Sequence, residues 1–425
     1  MKYYSIADPS HVVSFEQAVM NGQAPGRSLY FPAAIPVFTP SWWLDFHKKN
    51  AHELAYDVME PFVGEEIPEQ ILREIVQTTI DFPIPLKQLS DKLFIVELFH
   101  GPTLAFKDVG ARFMSRCLSY FRRNSDKPIT VLVATSGDTG GAVAHGFSGV
   151  PGVEVVIFYP KGKVSPFQEH QLLTTASNVR AYAVEGSFDD CQQMVKAAFA
   201  DQQLQQQKVM TSANSINIAR WLPQQLYYFL AMQQWQYQDA PVISVPSGNF
   251  GNIAAGILAH QRELPVEHFI AACNSNDTVP RYLEDGVYQA NQTIPTISNA
   301  MDVSDPSNFI RILSLLSRKD IPLAQILSAK SYSDELTRET IIQINDEHQY
   351  LVDPHTAVGI AAAKDYQLAK QEAKSIVLAT AHPIKFSTVL NELPGIMIND
   401  TSDETILNRI VIPASEEGWK QVLYT

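Results

Sequence analysis

Cysteine is scarce in this chain: Cys117, Cys191 and Cys273 are the only three among 425 residues, far apart and in no Cys-x-x-Cys spacing. That excludes a disulfide framework and a cysteine-based zinc site. His52-Glu53-Leu-Ala-Tyr56 also misses the two-histidine zinc pattern, because Tyr takes the second ligand position, and no metal is expected. No apolar run approaches a membrane span, and the segment Met1 to Pro9 lacks the continuous apolar core of a signal peptide. A cytoplasmic protein with no membrane partner is expected. Stretches of basic residues interleaved with aromatics are missing too, and Asp plus Glu outnumber Lys plus Arg by 45 to 32, for a formal charge of -13. Nucleic acid is therefore excluded as a partner, whereas a small anion needs only a local concentration of Arg, Lys and backbone amides. Low-complexity tracts and repeats are absent and 45% of residues are apolar, so disorder and solenoids are excluded as well.

What the chain does have is length for two or three domains and an alternating pattern. From about Asp126 onward, Ile129 to Thr135, Val153 to Tyr159, Val179 to Val184, Val242 to Val245, Phe269 to Ala272 and Ser375 to Thr380 read as buried strands. Helix candidates lie between them: Gly141 to Phe147, Pro166 to Thr175, Asp189 to Ala200, Ser215 to Trp235, Asn252 to Gln261 and Ala357 to Gln367. Such alternation predicts an α/β protein with parallel sheets covered by helices. The first hundred residues are rich in Pro and aromatics, show one clear helix near Pro68 to Phe82, and read as a lobe packed on the rest. Gln202 to Gln207 reads as a solvated helix end.

Four segments carry chemistry. Gly101-Pro-Thr-Leu-Ala-Phe-Lys107-Asp108 sets a lysine in a compact, mostly apolar loop, where an amine held out of water loses preference for its charged form and can attack an aldehyde. Pro246-Ser-Gly-Asn-Phe-Gly-Asn252 follows a strand and opens a helix of small residues, which suits a phosphate because glycines turn amides inward and a helix N-terminus is partly positive. It matches neither Gly-Lys-Ser/Thr nor Gly-x-Gly-x-x-Gly loops, and a plain tight turn would give similar residues. Thr135-Ser-Gly-Asp-Thr-Gly140 ends another strand and could hold a carboxylate, with Asp138 equally suited to helix capping. Thr380-Ala-His-Pro383 leaves a hydroxyl at the end of an apolar strand. An amine, a phosphate cradle, a carboxylate pocket and a neutral hydroxyl are the groups that pyridoxal phosphate and an amino acid require.

These segments, with Ser212-Ala-Asn-Ser-Ile-Asn217-x-x-Arg220 and Asn299-Ala-Met-Asp-Val-Ser304, occur in the order found in the threonine synthases, which the chain resembles over nearly its whole length. The resemblance implies a fold-type II pyridoxal-phosphate enzyme, like the tryptophan synthase β subunit, with two parallel-sheet α/β domains and an N-terminal lobe. The lobe is expected over residues 1–90, the small domain over 110–225, and the large cofactor-binding domain over 226–425 together with the lysine segment 91–109. The implied reaction converts O-phospho-L-homoserine and water to L-threonine and phosphate, by γ-elimination and then β-addition of water. Lys107 matches the cofactor lysine and catalytic base, Gly248, Asn249, Phe250, Gly251 and Asn252 the phosphate cradle, and Thr380 the neutral partner of the pyridine nitrogen. Thr135, Ser136 and Thr139 match the loop for the substrate carboxylate. Asn214, Ser215 and Arg220, with Lys161 or Lys163, are expected at the substrate phosphate.

Many fold-type II relatives carry Asn where this chain has Asp138. An ionised Asp would repel the cofactor's phenolate unless a proton is shared, so its contact with the ring is left open. A serine or threonine dehydratase of the same fold would need no second phosphate site, and a catalytically silent scaffold would not need Lys107. A monomer or small homo-oligomer is the expected assembly.

Overall fold

The computed structural model describes residues 1–173, 176–399 and 409–424. All six expected strands form. Ile129–Ala134 is buried at every position, as a run of β-branched and apolar residues must be when helices cover both faces of its sheet. It lies in a five-stranded parallel sheet in the order Ile410–Pro413, Val179–Glu185, Val153–Pro160, Ile129–Ala134, Val209–Ser212. A six-stranded sheet runs Leu327–Ser331, His268–Cys273, Val242–Pro246, Ser375–Ala379, Leu93–Glu97, Leu86–Gln88, parallel except for the last pair. The C-terminal segment, expected with the large domain as part of 226–425, instead sends Ile410–Pro413 to the edge of the smaller sheet beside Tyr182 to Glu185. Helix Glu416–Leu423 then buries Trp419, Val422 and Leu423 against that sheet's outer face.

The N-terminal lobe is more regular than its Pro content suggests. Asp8–Ser14, Lys2–Ser5 and Tyr30–Pro32 form an antiparallel sheet. Asn50 caps helix Ala51–Val63 by accepting from the His52 and Glu53 amides. In helix Glu69–Thr79, Leu72, Ile75, Val76 and Thr79 fall at i, i+3, i+4 and i+7, so one face is buried, and it packs on helix Lys107–Arg122. The lobe thus braces the helix that begins with the candidate catalytic lysine.

The candidate helix Ser215 to Trp235 is not continuous. Pro223 lacks the N–H a helix interior needs, and the chain breaks into Ile218–Trp221, a 3-10 turn Leu222–Gln224 and Gln225–Gln233. Gln202–Gln207 is a short helix of its own, capped by Asp201. Thr174 and Thr175, the end of the Pro166 to Thr175 candidate, lie outside the described residues; the described part is Pro166–Leu173. Among the described residues no helix is long and apolar enough to cross a membrane.

The three cysteines are free and buried. Burial raises all three thiol pKa values, that of Cys191 to about 12. A thiolate-selective reagent at pH 8 is therefore expected to label none of them in the folded protein and all three in denaturant, a difference read by absorbance.

Candidate active site

The carboxyl ends of the two parallel sheets bring the four chemical segments together, where loops of open α/β sheets gather ligands. The segment after strand Leu93–Glu97 zips onto the end of strand Ser375–Ala379: the Leu98 amide donates to Ala379 O at 3.0 Å, the Phe106 amide to Thr380 O at 2.9 Å, and the His382 amide to Leu104 O at 3.0 Å. Ala105 and Ala381 form an antiparallel bridge between them. These backbone bonds place Lys107 beside the Thr380 segment. Leu104 is held at φ 56°, a left-handed conformation that a leucine adopts only when its surroundings impose it. The Tyr227 hydroxyl fixes the Phe106 carbonyl.

Lys107 is not in the loop, as its sequence context suggests, but is the first residue of helix Lys107–Arg122. Asp108 does not serve as its neighbour in charge. Its buried carboxylate folds back to take the Thr103 amide at 2.9 Å and hydroxyl at 2.6 Å, so it clamps the loop. Lys107 stays partly accessible, as a lysine that meets a ligand must, yet is set deeply enough that burial brings its pKa to about 8. Asp138 acts in the opposite sense, and Lys385 and Arg220 reinforce the lowering.

The turn after strand Val242–Pro246 is built as an anion cradle. Phe250 sits at φ 59° ahead of helix Gly251–Gln261, and Ser247 is anchored through its amide to Ala272 O. Among the described residues, the backbone N–H groups of Gly248, Asn249, Phe250, Gly251 and Asn252 find no acceptor. The buried Nδ2 of Asn252 is also unpartnered, while its Oδ1 accepts from Tyr228 at 2.8 Å. Gly248 is required for close approach: a Cβ there would lie 2.5 Å from Met301 Cα. Gly248→Ala must therefore displace the cradle or the Asn299–Met301 turn, costing about 1–3 kcal/mol, and is expected to weaken binding of a phosphate-bearing ligand roughly tenfold in equilibrium dialysis.

At the second strand end the expected capping by Asp138 does not occur. Thr135 Oγ1 takes the Gly137 amide at 3.0 Å and the Gly140 amide at 2.8 Å, so it shapes the loop from within. Ser136 and Thr139 are half-buried at its opening. Asp138 accepts from Gln168 Nε2 at 3.0 Å and pairs with Lys385 Nζ at 2.9 Å, both partners buried. Burial alone would raise the Asp138 pKa, but Lys385 and Lys107 hold it well below the usual carboxylate range.

Asn214, Ser215 and Arg220 are distributed differently from expectation. Ser215 Oγ accepts from Asn249 Nδ2 at 2.7 Å and Asn308 Nδ2 at 3.0 Å, which places it against the cradle. Among the described residues the buried Asn214 Oδ1 has no partner. Arg220 is 4% exposed, bonds Ala213 O at 2.6 Å through Nη1, leaves Nε unpartnered, and meets no carboxylate among the described residues. Burial lowers its pKa to about 10. Lys161, in contrast, is 41% exposed and paired with Glu185 at 3.2 Å, and Lys163 is exposed as well. The structure does not bring either into the cluster, because both follow strand Val153–Pro160 on its solvent side.

Sequence reasoning missed Lys385, Gln168, Gln171, Asn308 and Arg311. Arg311 is fully buried, donates to Ser215 O and Ile216 O, and stacks on Trp221, so it backs the segment that carries Ser215. Only Lys385 left a signal, as a cation two residues beyond the segment Thr380 to Pro383 already singled out. These residues fit a phosphate-bearing aldehyde: unpaired amides for the phosphate, an amine of lowered pKa, and a buried Arg free for a second anion.

Comparison with known proteins agrees. Residues 72–381 match the family described as Pyridoxal-phosphate dependent enzyme, and residues 2–80 match Threonine synthase N terminus. Threonine synthases of Serratia marcescens and of Escherichia coli (strain K12) are each 44% identical over 397 residues, 93% of this chain and 91% of theirs. The crystal structure of threonine synthase from Escherichia coli superposes with a TM-score of 0.93 at 41% identity, covering 100% of this chain and 99% of that one. A PLP-bound threonine synthase from Brucella melitensis gives 0.91 at 33% identity, covering 100% and 98%. Maize serine racemase, 16% identical with a TM-score of 0.58 over 76% of this chain and 95% of its own, shares the fold alone.

Proposed function

The chain belongs to the threonine synthase family of pyridoxal-phosphate-dependent enzymes, and from that premise we propose how its own residues divide the work. The reaction converts O-phospho-L-homoserine and water to L-threonine and phosphate, a carbon-oxygen lyase reaction with pyridoxal phosphate as cofactor. When bound, the cofactor supplies an aldehyde for the lysine and a conjugated ring that takes up negative charge.

Gly248 to Asn252 would hold the cofactor phosphate through their free amides at the start of helix Gly251–Gln261, with Ser215 and Asn249 bracing the turn. Thr380, buried at the end of strand Ser375–Ala379, would offer a neutral hydroxyl to the pyridine nitrogen of the cofactor. Lys107 is nucleophile first and proton carrier second: with a pKa of about 8 its Nζ both accepts and returns a proton near neutral pH. Ser136 and Thr139, with the helix start at Asp138–Phe147, receive the substrate carboxylate. Arg220 and Asn214 orient the substrate phosphate as it leaves from Cγ.

The observation that carries this reading is the pairing of two anion sites, the five free amides and an Arg220 whose guanidinium holds one backbone carbonyl and whose charge is felt at Lys107, around one amine of lowered pKa. A dehydratase would need only the first site. Three free buried cysteines suit a reducing cytoplasm, and a monomer or small homo-oligomer remains the proposed assembly. The test is incubation of the purified protein with O-phospho-L-homoserine while phosphate and threonine are measured together. Equal amounts are expected; phosphate with a 2-oxo acid and no threonine would reject the reading.

A further inference from the structure

Lys385 has no part in the division of labour above, yet its side chain is completely buried beside Lys107 and Asp138. It lies on the 3-10 turn Pro383–Phe386, just after the strand that leads to Thr380. An ammonium has three N–H bonds, and Lys385 uses all of them: Thr103 O at 2.7 Å, Gln171 Oε1 at 2.9 Å and Asp138 Oδ1 at 2.9 Å.

The partners come from both halves of the molecule. Thr103 belongs to the lysine loop, while Asp138 and Gln171 start from helices Asp138–Phe147 and Pro166–Leu173 beside the smaller sheet. Two further bonds cross the same junction: Ser165 Oγ donates to Lys385 O at 3.0 Å, and Gln171 Nε2 to Thr103 O at 3.1 Å. Gln168 Nε2 completes the shell of Asp138.

We propose that Lys385 is a positioning residue for the reaction: it anchors the Asp138 loop to the Lys107 segment, and its charge is what allows an ionised carboxylate to stand at position 138. The proposal rests on the reading of Lys107 as the reactive amine. Lys107 is faced by Asp138, Lys385 and Arg220, and Asp138 by Lys385, Lys107, His355 and Gln168. Asp138 favours a proton on Lys107 Nζ, and the two cations oppose it. With Lys385 in place the carboxylate is largely neutralised by its nearest partner. Without it, Asp138 turns its full charge on Lys107, and the Nζ proton is held more tightly.

The test compares holoenzymes of Lys385→Met, Asp138→Asn, the double variant Lys385→Met/Asp138→Asn, and Lys385→Arg. Three readouts are taken: the thermal midpoint, the pH midpoint of the cofactor's visible band, which follows the proton on Lys107 Nζ, and kcat with KM separately. Lys385→Met is expected to lower the thermal midpoint, raise the pH midpoint by roughly one unit, and reduce kcat about tenfold or more with a smaller change in KM. The double variant, with both charges gone, is expected to return the pH midpoint close to the parent's and to recover part of kcat. Lys385→Arg keeps the charge but cannot meet three converging acceptors with a planar fork, so it should retain the pH midpoint and lose thermal stability.

A Lys385→Met enzyme that melts earlier with an unshifted pH midpoint overturns the proposal and leaves Lys385 a structural tie. A double variant with a pH midpoint as far from the parent's as that of Lys385→Met overturns it too, because the two charges then do not act as a unit. If Lys385→Met fails to fold, Asp138→Asn and the double variant decide. A pH midpoint lower in Asp138→Asn than in the double variant supports the proposal, and equal midpoints overturn it. Failure of the underlying reading is distinct: the parent itself would show no visible band with added cofactor.

Discussion

Lys107→Ala is expected to lose the cofactor's visible band and all but a trace of turnover, a fall of at least roughly 10² to 10⁴ from proton transfer alone, while the fold survives. The position serves chemistry rather than packing. Burial lowers the Lys107 pKa from the ordinary 10.5 to about 8, so between those values the unfolded chain binds a proton that the folded one releases. The sign follows: below about pH 8 the charged amine costs the fold stability, and that cost fades as pH rises toward 10.5. Removing the amine relieves it at neutral pH, and this relief offsets the packing that disappears with the aliphatic stem. The thermal midpoint of the cofactor-free variant should therefore stay within roughly 3 °C of the parent's at pH 7. The same shift predicts that cofactor-free parent captures pyridoxal phosphate faster as pH rises to about 8, with a plateau beyond. Substantial turnover in Lys107→Ala, or a rate of capture still climbing steeply near pH 10, would remove Lys107 from the centre of the site.

The larger strands are legible in the sequence because their residues leave no alternative. Ile129–Ala134 and Val242–Pro246 are short, apolar and buried on both faces, and only a covered parallel sheet accommodates that. Strands at the margins are not. Leu327–Ser331 is an edge strand whose Ser-Ala-Lys-Ser residues carry little apolar signal, and Val209–Ser212 has four residues. The pairing of Ile410–Pro413 with Val179–Glu185 joins residues more than two hundred positions apart, which no local pattern encodes.

The site divides along the same line. Lys107, Gly248 to Asn252, Thr380 and Asp138 each lie in a contiguous segment whose residue types are odd for plain structure, so the chain itself marks them. Sequence context assigns Ser215 to the substrate phosphate, but its hydroxyl is committed to Asn249 and Asn308 at the cradle. Charge at a strand end points to Lys161, but on that surface its amine meets Glu185. Charge and position in sequence do not say which way a long side chain turns. Lys385, Gln168 and Gln171 become functional only through one another and Asp138, across separations of 30 to 282 residues that close in the fold. The departure from Asn at position 138 is visible in the sequence; its partner is not.

Arg220→Ala is expected to cost at least tenfold in kcat/KM for O-phospho-L-homoserine, from the loss of one charged interaction of about 1.5–3 kcal/mol. Buried arginines without carboxylates are not by themselves evidence for a ligand in this protein. Arg262 has none either, yet it sits against the rings of Phe38, Phe62 and Phe229 and bonds Pro36 O and Val58 O, which is a structural role. Arg311 is likewise tied to backbone carbonyls and Trp221. Arg220 shares an unpartnered Nε with Arg311, but among the described residues its guanidinium holds a single acceptor, Ala213 O, where Arg262 and Arg311 hold three each, and its charge is felt at Lys107. A guanidinium so placed can give two parallel bonds to a phosphate, which Lys cannot, so Arg220→Lys should recover only part of the loss. Inorganic phosphate should compete with substrate in the parent and compete less well in Arg220→Ala, while cofactor affinity barely changes, since the amides of Gly248 to Asn252 are untouched. If Arg220→Ala instead releases the cofactor and leaves phosphate inhibition unaltered, Arg220 belongs to the framework around helix Lys107–Arg122, whose Gly110 packs against it. The second anion would then have to be held by other groups, with Asn214, whose buried Oδ1 is unpartnered among the described residues, as the first candidate.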